Sequence, residues 1–138
     1  MTECIDQMLH MELLSAPKEP VALPALLSYR RRDPFAVHVT FHTEPGGPVP
    51  WVFSRELLSQ GMHEPSGEGD IRLWPSGSGP GAVLHLALSS PHGYARLRTP
   101  LPALAEWLRR TYLLVPAGHE GDHMNCDAEL SRLLHGAP

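Results

Sequence analysis

DPFAVHVTFHTEPGGPVPWVFSRELLSQGMHEPSGEGDIRLWP, residues 33–75, decides the fold. Val37, Val39 and Phe41 fall on one side of Ala36–His42, and His38, Thr40 and His42 fall on the other. This period-two alternation with β-branched residues predicts a half-buried strand. EPGGP makes a hairpin loop, and Val49–Phe53 returns as the next strand. Ser54 is placed to cap a short helix over Arg55–Gln60, with Leu57 and Leu58 inward. Gly61 fits the position just past that helix, where a left-handed residue commonly ends it. His63–Gly69 reads as loop, and Asp70–Trp74 as a strand in which Ile71 and Leu73 alternate with Arg72 and Trp74. The stretch describes a β-rich core with no buried catalytic group.

The same reasoning extends outward. Asp33-Pro34 breaks the chain, and a strand from Leu23 to Arg31 precedes it. Before the loop Ala16–Pro20, Leu9, Met11 and Leu13 alternate with His10, Glu12 and Leu14, so Ile5–Leu14 is read as strand rather than helix. On the other side, SGSGPG (residues 76–81) is a loop tip. Val83–Ser89, with Leu84, Leu86 and Leu88 on one face, pairs with Tyr94–Arg98 across the tight turn Ser90-Pro91-His92-Gly93. Thr99-Pro100 opens a helix over Leu101–Leu114, with Thr as cap and Pro at the first position. Its apolar stripe is Leu101, Leu104, Ala105, Leu108 and Tyr112, and Pro116 and Gly118 end it. A last helix is expected over Asp127–His135, burying Leu130, Leu133 and Leu134. Many strands followed by helices, without internal repeats, predict an α+β fold of mostly antiparallel sheet in one domain spanning residues 1–138.

Composition agrees with a single globular unit. The chain has 138 residues, 42% of them hydrophobic, which is enough for a core without disulfide or metal staples. Fifteen prolines and twelve glycines imply short elements and many turns. A net charge of -4 does not announce a polyanion partner. Two cysteines, Cys4 and Cys126, make no disulfide framework. Glu3 and Asp6 stand where a signal peptide would be basic, and no segment approaches the about 20 apolar residues of a membrane span. The expected location is the cytoplasm.

Several constellations invite chemistry. His119-Glu120-Gly121-Asp122-His123 fits H-E-x-x-H, in which two histidines one helical turn apart bind zinc and the glutamate activates water. Pro116, Gly118 and Gly121 are poor helix material, so a solvated polar loop is the preferred reading. His38 and His42, with His85 on another strand, form a second candidate metal set, weighed against an ordinary polar sheet face. Ser89-Ser90 lacks a nucleophile elbow, and neither cysteine has a context that lowers a thiol pKa. The glycine-rich loops match no nucleotide motif. Arg30-Arg31-Arg32 with Arg72, Arg96 and Arg98 would suit single-stranded nucleic acid if Phe35, Trp51 or Trp74 stacked bases. Charged edge protection is the competing reading. No catalytic residue, metal ligand or cofactor is assigned.

Beyond these local readings, the order of pieces along the chain carries a resemblance. Tyr29, Asp33–Val37, Phe41-His42, Trp51–Phe53 and Arg55–Leu58 are followed by Gly61, Pro65, Gly67, Gly69-Asp70 and Leu73–Pro75. Ser89–Pro91, Gly93, Arg110-Thr111 and Val115-Pro116 extend the series. In order and spacing, this resembles the SsgA-like family of sporulation and cell-division proteins of filamentous actinomycetes, and within it the SsgB type. The arginine run before Asp33 and the His119–His123 loop stand outside the family pattern.

The resemblance implies a non-catalytic regulator that recruits or stabilises the tubulin-like division GTPase FtsZ at septum sites, helped by an SsgA-type relative. It also implies a barrel-like core similar to the Whirly single-stranded-DNA-binding proteins, with C-terminal helices, assembled as a homo-trimer. Trp51, Arg55, Glu56 and Trp74 are the expected partner contacts, because aromatics and arginine carry binding energy disproportionately. Trp107 and Leu114, partly off the helix stripe, are candidates for subunit contact. Each has a core or plain-surface alternative, and the core is favoured for Trp51 and Trp107. A zinc hydrolase using His119, Glu120 and His123, and a nucleic-acid binder using the arginines, are the rival readings.

Overall fold

A computed structural model describes residues 3–15, 17–43, 46–91 and 93–123. In chain order the strands are β1 (Cys4–Leu14), β2 (Val21–Arg30), β3 (Asp33–Thr43), β4 (Gly47–Ser54), β5 (Ile71–Ser76), β6 (Val83–Ser90) and β7 (Gly93–Pro100). Helix α1 (Arg55–Gly61) lies between β4 and β5, and α2 (Leu101–Leu114) follows β7. Short 3₁₀ turns occupy Gly79–Gly81 and Glu120–His123. The strands form one antiparallel sheet in the order β4-β3-β2-β1-β7-β6-β5.

Alternation sets the faces. Leu9 pairs with Ala25, and Met11 with Leu23. Val37 lies opposite Phe53, and Leu86 opposite Leu97. All eight are buried, so one face of the sheet is the core. Leu73, Leu84, Leu86 and Leu97 are each at most 2% exposed. Each such leucine contributes about 1.5–3 kcal/mol of burial free energy. The sheet is a curled half-barrel: a groove of about 280 Å³ is lined by Phe41 and Trp51 from one half and Leu88 and Leu97 from the other. Its halves join where Glu12–Leu14 of β1 meet Arg96–Arg98 of β7. From α2, Leu104, Trp107 and Leu108 enter the same core, and Leu58 enters from α1.

Both free edges are managed. Pro48 and Pro50 interrupt β4, which limits its use as a template for another strand. Beside β5, Ser66 and Leu73 exchange backbone hydrogen bonds of 2.8 and 2.9 Å.

Three local expectations are corrected. Asp33-Pro34 does not break the chain: the turn falls at Arg31-Arg32, and β3 starts at Asp33. The β2–β3 register shifts between Ser28 and Arg30, an irregularity where proline is tolerated. There the Tyr29 hydroxyl donates to the Pro34 carbonyl at 2.9 Å. Gly61 is not a left-handed terminator but the last residue of α1, and Met62 caps it. A Cβ at Gly61 would stand 2.7 Å from the Leu73 Cβ, so glycine is there for close helix–strand approach. At α2 the N-cap is Pro100, not Thr99, with Pro102 inside the first turn. The Leu101 N–H donates to the Ala82 carbonyl at 2.9 Å, so the residue just before β6 satisfies what the side-chain cap was expected to satisfy. The expected helix over Asp127–His135 lies outside the described residues.

Candidate partner-binding site

Trp51 and Phe53 point toward the concave face of β4, and the next residue of that parity, Arg55, turns inward as the first residue of α1. Ser54 fixes the handover: its Oγ accepts the Leu57 N–H at 3.1 Å. Arg55 is 1% exposed. Its Nη1 donates to the carbonyls of Thr111 at 3.1 Å and Val115 at 2.8 Å. Its Nη2 donates to Glu120 Oε2 at 2.9 Å. The guanidinium carbon lies 4.8 Å from the centre of the Tyr29 ring and 3.9 Å from that of Tyr112.

These contacts explain one another. The last turn of α2 has no basic residue of its own, and its terminal carbonyls need donors. Arg55 supplies both the donors and a positive charge at the negative end of the helix dipole. Glu120 neutralises that charge and is steered by the Gly118 N–H, 2.8 Å from Oε1. Gly118 has φ of +86°, a turn geometry that favours glycine. The Glu120 N–H, the Arg55 guanidinium and the Gly118 N–H together hold the Glu120 carboxyl below the usual range. Burial pushes the Tyr29 phenol up to about 12, against the opposing pull of Arg55.

Over this locked floor opens a cleft of about 660 Å³, lined by Phe35, Ser54, Glu56, Gln60, Tyr112 and Gly118, among others. Phe35 is 51% exposed. Gln60 Nε2 donates to Glu56 Oε1 at 3.4 Å across one helical turn. A rigid base, an exposed aromatic and a polar rim suit the capture of a partner's side chains.

Of the sequence-predicted contacts, Arg55 and Glu56 come together here. Glu56 is exposed on the rim, whereas Arg55 is buried and acts only through what it positions. Trp51 is half-buried on the concave face, its ring 6.3 Å from that of Phe53. Trp74 stands on the opposite, outer face of β5, stacked on His85 at 5.3 Å. Trp107 is fully buried in the core and presents no surface, and Leu114 packs half-buried against that core. Sequence reasoning missed Phe35, Tyr29, Tyr112 and Glu120 as a set. The available signal was that Arg55 continues the inward parity of Trp51 and Phe53.

The metal readings find no matching geometry. The H-E-x-x-H segment is a 3₁₀ turn rather than an α-helix, and its glutamate is engaged by Arg55. His119 pairs with Asp122 at 2.9 Å. His38 and His42 lie on β3 and His85 on β6, with β2, β1 and β7 between them in the sheet. Among the described residues no three metal-binding side chains cluster. The arginines are divided too. Arg30 lies opposite Cys4 at one end of β1, whereas Arg98 lies opposite Glu12 toward the other. Eight residues of strand separate those rows by about 27 Å. Cys4 is exposed, and Cys126 lies outside the described residues. No helix among the described residues is long and apolar enough to cross a membrane.

A family model described as Streptomyces sporulation and cell division protein, SsgA, matches residues 23–120. The sporulation-specific cell division protein SsgB of Streptomyces coelicolor is 47% identical over 126 residues, covering 91% of this chain and 92% of that protein. The SsgB of Thermobifida fusca is 44% identical over 124 residues, covering 90% of each. A solved Thermobifida fusca structure, an SsgA-like sporulation-specific cell division protein, superposes with a TM-score of 0.84 at 42% identity, covering 94% of this chain and 95% of that one. A structure from work on SsgB mutations that correlate with longitudinal cell division during sporulation of Streptomyces coelicolor gives a TM-score of 0.82 at 45% identity, covering 87% of this chain and 94% of that one.

Proposed function

We propose that this chain, which belongs to the SsgA family of sporulation and cell-division proteins, is a non-catalytic scaffold that recruits or stabilises FtsZ at the septa of sporulating cells. The observation that carries this reading is likeness along nine-tenths of the chain to proteins named for sporulation-specific cell division. The cleft beside α1 is its contact surface: Phe35 offers an apolar anchor, Glu56 and Gln60 set the polar rim, and the Arg55–Glu120 lock keeps the floor rigid. Pre-organisation of that kind limits the ordering cost of association.

In this reading the protein works from the cytoplasmic side of the septum as a homo-trimer, alongside an SsgA-type relative. Trp51, Trp74 and Leu114 remain candidates for the accompanying subunit and partner contacts. The chemistry of the cleft supports binding over turnover, since its floor is a buried ion pair rather than a nucleophile beside a base. Cosedimentation of purified protein with FtsZ filaments tests the proposal. Enrichment in the pellet that depends on filaments supports it, and equal amounts with and without filaments contradict direct recruitment.

A further inference from the structure

We propose that the outer face of β5, β6 and β7 is a docking surface for an acidic polypeptide segment. With Leu73, Leu84, Leu86, Leu88 and Leu97 inward, the alternate residues of these strands face away from the core. Cross-strand register then sets them in two rows. Arg72, Ala87 and Arg96 form one, and Trp74, His85 and Arg98 form the other. The Arg96 guanidinium carbon lies 5.6 Å from the centre of the Trp74 ring, which stacks on His85. His85 Nε2 and Ser76 Oγ lie 2.8 Å apart, which fixes the imidazole under the indole. A cationic face is thus built around an aromatic centre.

Charge complementarity names the occupant. Arg98 is engaged by Glu12 at 2.8 Å, but neither Arg72 nor Arg96 has a carboxylate partner among the described residues. Both are exposed, on a chain of net charge -4. The His85 imidazole is held below its usual pKa by burial and then by Arg96 and Arg98, in keeping with local positive potential. Arg72 and Arg96 sit two strands apart, about 10 Å. Alternate residues of an extended segment share a face, so carboxylates two residues apart, about 7 Å, both face the sheet; one such segment crossing the strands meets both arginines, whose long side chains close the remaining gap, each suited to a bidentate pair.

Nucleic acid fits less well. A single strand needs a long cationic track and free aromatic platforms. This patch is three strands wide, its indole is already stacked, and the Arg30–Arg32 run lies at the far end of β1.

The surface lies on a different part of the molecule from the α1 cleft, so it stands or falls independently of FtsZ. The test is fluorescence polarisation with a labelled peptide of alternating glutamate and serine, its lysine counterpart, and an oligodeoxythymidine. The glutamate peptide is expected to bind, with affinity falling about tenfold or more as ionic strength rises to physiological values. Arg72→Glu/Arg96→Glu should weaken it at least about tenfold while keeping the wild-type thermal midpoint, because both side chains are exposed. Arg72→Gln/Arg96→Gln should give a smaller loss, and Arg30→Glu/Arg32→Glu should leave binding unchanged. Absence of glutamate-peptide binding would overturn the proposal. So would undiminished binding by the double-glutamate variant, or tighter binding of the oligodeoxythymidine.

Discussion

Replacing Arg55 with methionine isolates the interaction on which the α1–α2 junction depends. The substitution keeps an apolar side chain between Tyr29 and Tyr112 but removes the donors to two carbonyls and to Glu120. Breaking a buried ion pair by deleting one partner costs about 3–5 kcal/mol. The Thr111 carbonyl keeps the Val115 N–H at 2.9 Å, whereas the Val115 carbonyl loses its Arg55 donor, a cost in the range of a buried group left unpaired, about 1–3 kcal/mol. These contributions overlap, so the expected total loss is about 3–5 kcal/mol. In urea, with a slope of about 1–3 kcal/mol per molar, that moves the unfolding midpoint down by about 2 M. Equilibrium unfolding followed by tryptophan fluorescence reads it, since Trp107 is fully buried. Glu120→Gln alone should cost less, because the Glu120 side chain is 18% exposed and Arg55 keeps its carbonyls. In the Arg55→Met background, Glu120→Gln should be close to neutral, with a coupling of about 1–3 kcal/mol. A loss under about 0.5 kcal/mol for Arg55→Met, or strict additivity of the pair, would refute the reasoning.

Other perturbations probe the same core. The Glu120 carboxyl is held below its usual pKa, so its contribution is present above about 4.5 and is lost as pH falls through the depressed value. The thermal-midpoint gap between wild type and Glu120→Gln should therefore close as pH drops below that point, and a constant gap would show that Glu120 acts without its charge. Tyr29 shifts the other way: its stabilising share is full below pH 10 and is lost as pH rises toward about 12. Ultraviolet titration should show a late phenol step, and its persistence in Tyr29→Phe would reassign it. Gly61→Ala should destabilise by about 1–3 kcal/mol despite the better helix propensity of alanine, because the nearest atom, the Leu73 Cβ at 2.7 Å, is bonded to the backbone and cannot swing aside. A raised thermal midpoint for that variant would mean α1 and β5 are not tightly apposed.

Much of the architecture was legible because the chain states it locally. Alternation in Ala36–His42 and Val83–Ser89 named both the strands and their inward faces. The Leu101–Leu114 helix was bounded by its prolines and the glycine beyond it. The errors fall where tertiary contact replaces a local signal. Thr99 looked like a helix cap, but the Ala82 carbonyl just before β6 takes that role. Gly61 looked like a terminator, but its missing Cβ makes room for Leu73. Pro34 looked like a break, but it sits at a register shift. The site was harder still. Arg55 and Glu120 are 65 residues apart, and no local pattern says that an arginine opening one helix completes the end of another. Hence Arg55 was expected at an exposed interface and is found inside, while Phe35, considered only as a base-stacking aromatic, is the exposed residue of the same cleft.

Filament binding by a cleft-rim variant tests the account most directly. Phe35→Ser/Glu56→Lys alters two exposed positions of the cleft and leaves Arg55 in place. The scaffold reading predicts that this variant keeps the wild-type thermal midpoint and loses at least about tenfold in affinity for FtsZ filaments, the loss of about 1.4 kcal/mol or more expected when an aromatic anchor is removed. Wild-type affinity in the folded variant would contradict it and move the partner surface away from α1.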